Sequence, residues 1–134
     1  MKKHSSFTLI EVLLAVFILE VGLLGIAGFY ASSLKIIKTA RNETIASNLA
    51  SGILDEQLAI SYDNLEIGQT EKNYTEDISS PFHDWTQKVE IRYVDANLNQ
   101  QETETHMKKI VVTISWPEVN SQKSFQTASI KAEH

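Results

Sequence analysis

From Val12 to Leu34 the chain runs for 23 residues with one formal charge, Glu20. As a helix rising about 1.5 Å per residue, that run is about 35 Å long, enough to cross a hydrocarbon core of about 30 Å. Lys2, Lys3 and His4 precede it, and Lys35 and Lys38 follow it. Basic residues thus flank both ends. The charge at Lys2 and Lys3 points the N-terminus toward the cytoplasm by the positive-inside bias. A conventional signal peptide also starts with lysines, but its apolar stretch is shorter and ends at a small-residue cleavage site. Ala27, Ala31 and Ser33 offer a weak version of such a site, yet the helical pattern continues through them without a turn signal.

The chain of 134 residues and 15.1 kDa is long enough for one domain. Its 12 basic and 17 acidic residues leave a formal charge of −5, a poor balance for neutralising a phosphate backbone. Cysteine is absent, which removes disulfide frameworks, thiol catalysis and cysteine metal sites.

Glu11 stands four residues after Phe7 at the start of the apolar block, where a carboxylate is costly in lipid unless paired. It reads either as a membrane-edge acid reaching the headgroups or as an acid with a specified partner, such as a free amino terminus in an assembly. The stretch Ser6-Phe7-Thr8-Leu9-Ile10-Glu11, followed by the apolar run, resembles the class III signal of type IV pilins and type II secretion pseudopilins. The resemblance covers roughly residues 1–60 well and the remainder in outline. It implies that a prepilin peptidase cuts between Ser6 and Phe7 and methylates the new Phe7 amine, with Glu11 as the matching assembly glutamate. The family usually carries glycine before the cut, where this chain has Ser6. The implied partners are other major and minor pilins or pseudopilins, the peptidase/N-methyltransferase, an inner-membrane assembly platform and the cytoplasmic membrane. The implied location is the inner membrane, with the head outside the cytoplasm, and then the filament.

Glu20 departs from the family's pattern, as a second acid inside the apolar stretch. It reads as a tolerated acid, protonated in lipid, or as a second assembly residue paired with a neighbouring subunit. Gly22, Gly25 and Gly28 recur every three residues, and no proline occurs before Pro81. Leu34, Ile37, Ile45, Leu49, Ile53 and Leu58 extend an apolar stripe, with Arg41 interrupting it. The spacing predicts one helix from about Thr8 to Asp63, about 84 Å long, whose distal half needs a surface to cover it.

Residues 64–85 read as a polar connector anchored by Leu65, Ile67, Tyr74, Ile78, Phe82 and Trp85. Two strands follow. In Thr86–Asp95, Val89, Ile91 and Tyr93 alternate with polar residues; in Lys108–Trp116, Ile110, Val112, Ile114 and Trp116 form one face. The link Ala96–Met107 reads as a long hairpin loop, Pro117 as the stop of the second strand, and Val119–Lys123 as a turn. A weaker third strand, Phe125–Lys131, turns Phe125, Thr127 and, after a slip, Ile130 inward. The sheet's apolar face and the distal helix stripe need each other. The expected fold is therefore α+β: a long N-terminal helix, transmembrane in its first half and amphipathic in its second, packed against a small antiparallel sheet, as in pilins. The expected organisation is a leader over 1–6, a membrane and filament-core helix over 7–34, and a head over 35–134. Leu49, Ile53, Val112, Ile114 and Trp116 are the expected core.

His4, His83, His106 and His134 stand far apart, and the acids Asp63, Glu66, Glu71, Glu76, Asp77 and Asp84 lie in no compact calcium-loop register. No phosphate-loop or nucleophile-elbow pattern occurs. The expectation is no enzyme, no catalytic residue, no cofactor and no metal. The leading function is a minor pilin or pseudopilin that primes or joins a filament. The sparse role is suggested by Glu20 and by a head without a disulfide. An unprocessed single-pass protein that binds an envelope partner through its head is the alternative, and a secreted soluble domain is a third.

Overall fold

The computed structural model describes residues 8–75, 79–118 and 121–133. The chain divides into two units, Met1–Arg41 and Asn42–His134. One helix, α1 (Leu9–Ala59), supplies all the described secondary structure of the first unit and the opening of the second.

In the second unit, α1 turns one narrow face to the sheet. Ala46, Ala50 and Leu54, spaced by four, are its buried residues, and Ile45, Leu49, Ile53 and Leu58 pack partly buried beside them. Leu49 and Ile53 pack against the core as expected but keep part of their surface exposed, while Ala46 and Ala50 are fully buried.

The helix ends at Ala59, earlier than the expected Asp63, and Tyr62–Asn64 forms a separate 3₁₀ turn. No basic residue and no glycine closes the last turn of α1. Its orphan carbonyls find donors from the sheet instead. The Lys131 amine donates to the Leu58 carbonyl oxygen at 2.6 Å and to that of Ile60. A cation there also opposes the negative end of the helix dipole. Lys108 repeats the device one turn later, donating to the carbonyls of Tyr62 at 2.7 Å and Leu65 at 2.9 Å.

The sheet is antiparallel. Its strands are β1 (Gly68–Asn73), β2 (Thr86–Val94), β3 (Gln100–Gln101), β4 (Met107–Glu118) and β5 (Ser121–Ala132), in the order β1-β2-β4-β5, with β3 pairing only β2. Register sets the core. Val89 lies opposite Val112 and Ile91 opposite Ile110. Phe125 lies opposite Ile114. Directly opposed residues share a face, so these side chains and Trp116 meet α1. Val112, Ile114 and Trp116 are buried as expected. The Trp85 ring stacks on Trp116 with centroids 5.4 Å apart, and Phe82 meets Trp85 edge-on at 5.5 Å. This aromatic ladder anchors the described residues between β1 and β2.

Several boundaries differ from expectation. The 64–85 connector contains β1, a strand of polar sequence with every residue exposed. Ile67 and Tyr74, read as anchors, are exposed. Ile78 and Val119 lie outside the described residues. In β2 the alternation breaks at its end: Tyr93 is half-buried and Val94 fully buried. The link Ala96–Met107 is a tight turn plus β3. There the Asp95 carboxylate accepts from the backbone N–H groups of Asn97 and Asn99 and from the Asn99 and Gln101 side chains. The Asn99 bonds, followed by the others, hold the Asp95 carboxyl below the usual carboxylate range. Pro117 does not stop β4, which continues to Glu118 and pairs Pro117 with Gln122. The ladder with β2 has ended at Ser115, so β4 has an open edge there, where proline is tolerated. No slip occurs in β5. Its inward residues are Phe125, Thr127 and Ser129, and Ile130 faces outward, 40 % exposed.

The fold is α+β, a long N-terminal helix packed against a small antiparallel sheet. That arrangement is consistent with a generic pilin-like fold.

Candidate functional site

The first unit carries the feature with the largest physical consequence. Thr8 opens α1: its hydroxyl accepts the backbone N–H of Glu11 at 3.3 Å, and its carbonyl accepts those of Glu11 and Val12. Threonine three residues before glutamate is the spacing of an N-terminal cap, with the acid in the positive first turn. Ser6 and Phe7, the expected cleavage and methylation residues, lie outside the described residues.

Beyond the cap, 18 large apolar side chains from Leu9 to Ile37 are exposed. They lie on all sides of the helix, and its most apolar 18-residue window has a mean hydropathy of 2.5 with nothing buried. A helix apolar all round is covered by lipid or by protein. At about 1.5–3 kcal/mol per large side chain, leaving this surface in water would forgo tens of kcal/mol. By length and composition the helix is able to cross a membrane, a description that a signal segment near an N-terminus also meets.

Polar groups within the run are few. The Ser32 hydroxyl donates to the Gly28 carbonyl at 3.1 Å and that of Ser33 to Phe29 at 2.9 Å, so both are satisfied inside the helix. Glu11 and Glu20 are exposed, and no ion pair among the described residues involves either. They are nine residues apart, which at about 100° per residue puts them on opposite sides of the helix. One straight partner helix therefore cannot meet both. Lys35, Lys38 and Arg41 end the run, all exposed.

The second unit offers a cleft of about 510 Å³ lined by the last turn of α1, the segment after it, β1 and β2. Val89, Ile91 and Leu65 line it, and Gln57, Gln87, Lys72 and Glu66 are among the polar residues around it. Elsewhere, His106 Nδ1 pairs with the Glu133 carboxylate, and that bond, joined by the Glu133 charge, lifts the imidazole above its ordinary value. The Lys108 ammonium lies 4.1 Å over the Tyr62 ring. Burial, with Glu104 adding to it, pushes the Tyr62 hydroxyl up. Among the described residues no three His, Asp or Glu side chains converge to hold a metal ion.

Glu11, Glu20 and the basic flank were legible in the sequence as charges interrupting or bounding an apolar run. The cap at Thr8 was missed, although its spacing to Glu11 was the available signal. Lys108 and Lys131 were missed because each acts across more than 40 residues of chain, where no local pattern exists.

Comparison with protein-family models, with curated proteins and with solved structures found no match.

Proposed function

We propose that this chain is a structural subunit of a type IV pilus or of a type II secretion pseudopilus, of the minor kind that primes or joins the filament. The observation that carries this reading is the exposed apolar helix that starts at the Thr8 cap, bears Glu11 in its first turn, and continues into a sheet-covered head. A removable signal segment has no use for continuity with the head's own core helix. A plain membrane anchor has no use for an acid at Glu11.

In this reading a prepilin peptidase removes residues 1–6 between Ser6 and Phe7, and the new Phe7 amine is methylated. The helix holds the subunit in the inner membrane with the head outside the cytoplasm. It then trades lipid for the helices of other pilins or pseudopilins on an assembly platform. The chain performs no catalysis and takes no cofactor; its work is packing. Glu11 and Glu20 are the assembly residues.

N-terminal sequencing and intact mass of protein from the native host test the reading. The expected chain starts at Phe7, and the loss of Lys2 and Lys3 moves its formal charge from −5 to −7. A start near Ala31 or Leu34, or an intact Met1, rejects it.

A further inference from the structure

We propose that two copies of this chain pack with their apolar helices parallel and displaced by about 15 residues, so that Glu20 of one copy meets Lys35 of the other. At about 1.5 Å per residue the stagger is about 22 Å. The proposal rests on the reading above that this helix packs into an assembly, and it names the first contact made there. A priming subunit needs that stagger set only once, so two copies suffice.

A displacement of 15 residues is the shortest outward one that brings Glu20 of one copy to a cation, Lys35, of the other. Glu20 is the only charged residue from Val12 to Leu34, and Lys35 is the first cation after it. Both are exposed, and among the described residues neither has an ion pair. Copies inserted by the same basic N-terminus run parallel. In register they would set Glu20 against Glu20, two like charges in an apolar surround. Displaced by 15 residues they join opposite charges. They also keep an apolar overlap, because the segment 9–22 of one copy then lies along 24–37 of the other. Apart from Glu11, Glu20, Ser32, Ser33 and Lys35 both segments are apolar, and all but half-buried Ser33 are exposed; Glu11 of the displaced copy then lies level with Ile26.

The displacement has a physical meaning in a bilayer. A copy drawn outward by about 22 Å carries Glu20 from within the hydrocarbon to its outer boundary. There the neighbour that remains in the membrane presents Lys35, with Lys38 and Arg41 just beyond. The acid that opposes insertion of a lone chain thus favours the raised chain beside a seated one.

The absence of cysteine makes the stagger directly measurable. Phe17 and Ser32 lie three residues below Glu20 and Lys35, so Phe17→Cys in one tagged copy and Ser32→Cys in a second report the contact with both charges intact. Oxidation of membranes from the native host is expected to give the mixed 17–32 disulfide dimer. Glu20→Lys in both copies sets two cations against each other and should lower its yield roughly tenfold or more. Adding Lys35→Glu should restore it. A dominant 17–17 dimer, or a 17–32 dimer indifferent to the charge exchange, overturns the proposal. Intact mass on the same samples reads trimming separately. Trimmed chains without the 17–32 bond overturn the stagger alone. The charge-dependent bond on untrimmed chains supports the stagger and removes the prepilin reading.

Discussion

Lys108 is a buried cation whose role is to hold backbone. Its ammonium bridges two carbonyls of the turn that follows α1, and no carboxylate among the described residues lies within ion-pairing distance. Lys108→Met keeps most of the volume and removes both bonds, leaving two carbonyls short of a donor. The expected loss is about 2 kcal/mol, from hydrogen bonds to a charged group. Denaturant unfolding of the full chain in micelles measures it, with the buried Trp85 and Trp116 as fluorescent reporters. Lys131→Met should cost less, about 1 kcal/mol, because that side chain is only half-buried. His106 gives a prediction of sign. Glu133 raises its folded pKa above the unfolded value near 6.5, so the protonated pair favours the fold. The contribution is complete below the unfolded pKa and is lost as pH rises through the folded one. An NMR titration of the ring should show the raised value, and Glu133→Gln should return it toward 6.5.

Among the elements, the contact of α1 with the sheet depends on small residues. Ala50 is fully buried, so Ala50→Leu must push helix and sheet apart, at an expected cost of about 1–3 kcal/mol. Leu54→Ala should cost about 2–4 kcal/mol by leaving a cavity. Ile53→Ala should cost less than Leu54→Ala, since Ile53 is only partly buried. An Ile53 variant weaker than the Leu54 variant in the same unfolding assay would overturn this assignment of the face. The limits of reading from sequence follow from the same contacts. The long helix and the faces of β2 and β4 were legible because apolar period and burial coincide there. Ala46 and Ala50 were not, because alanine adds little hydrophobic contrast to a helical pattern. β1 was not, because an edge strand of sequence GQTEKN has no buried face to impose a pattern. The end of β4 was misjudged because proline stops a strand only where both edges need their N–H groups. At the candidate site the charges were legible and their surroundings less so: the Thr8 cap shares its residues with the motif that suggested processing.

At the scale of the whole molecule, the proposed function makes Glu11 a residue of assembly and not of folding. Among the described residues the head core, from Ala46 to Trp116, contains no residue of the apolar run, so a change at Glu11 alters none of the side chains that build it. Nor does Glu11→Ala remove the helix cap, because Thr8 accepts a backbone N–H that alanine retains. The substitution gives up only the acid's interaction with the first turn, about 0.3–1 kcal/mol. In lipid the lone chain becomes more comfortable without the charge. In the proposed filament the opposite holds. The partner's Phe7 amine, positive and surrounded by apolar helices, loses its carboxylate, and an uncompensated buried charge costs roughly 3–5 kcal/mol in soluble proteins. The expected Glu11→Ala protein therefore accumulates in the membrane, starts at Phe7, unfolds at the wild-type midpoint and is left out of the assembly. Co-purification of tagged protein with its filament partners measures the last of these. Recovery equal to wild type, with trimming intact, would show that Glu11 has no pairing role. Glu20 tests the other side of the same helix. Because it points away from Glu11, Glu20→Gln should leave the Phe7 contact in place and weaken only the staggered neighbour, so the two variants should lose different partners.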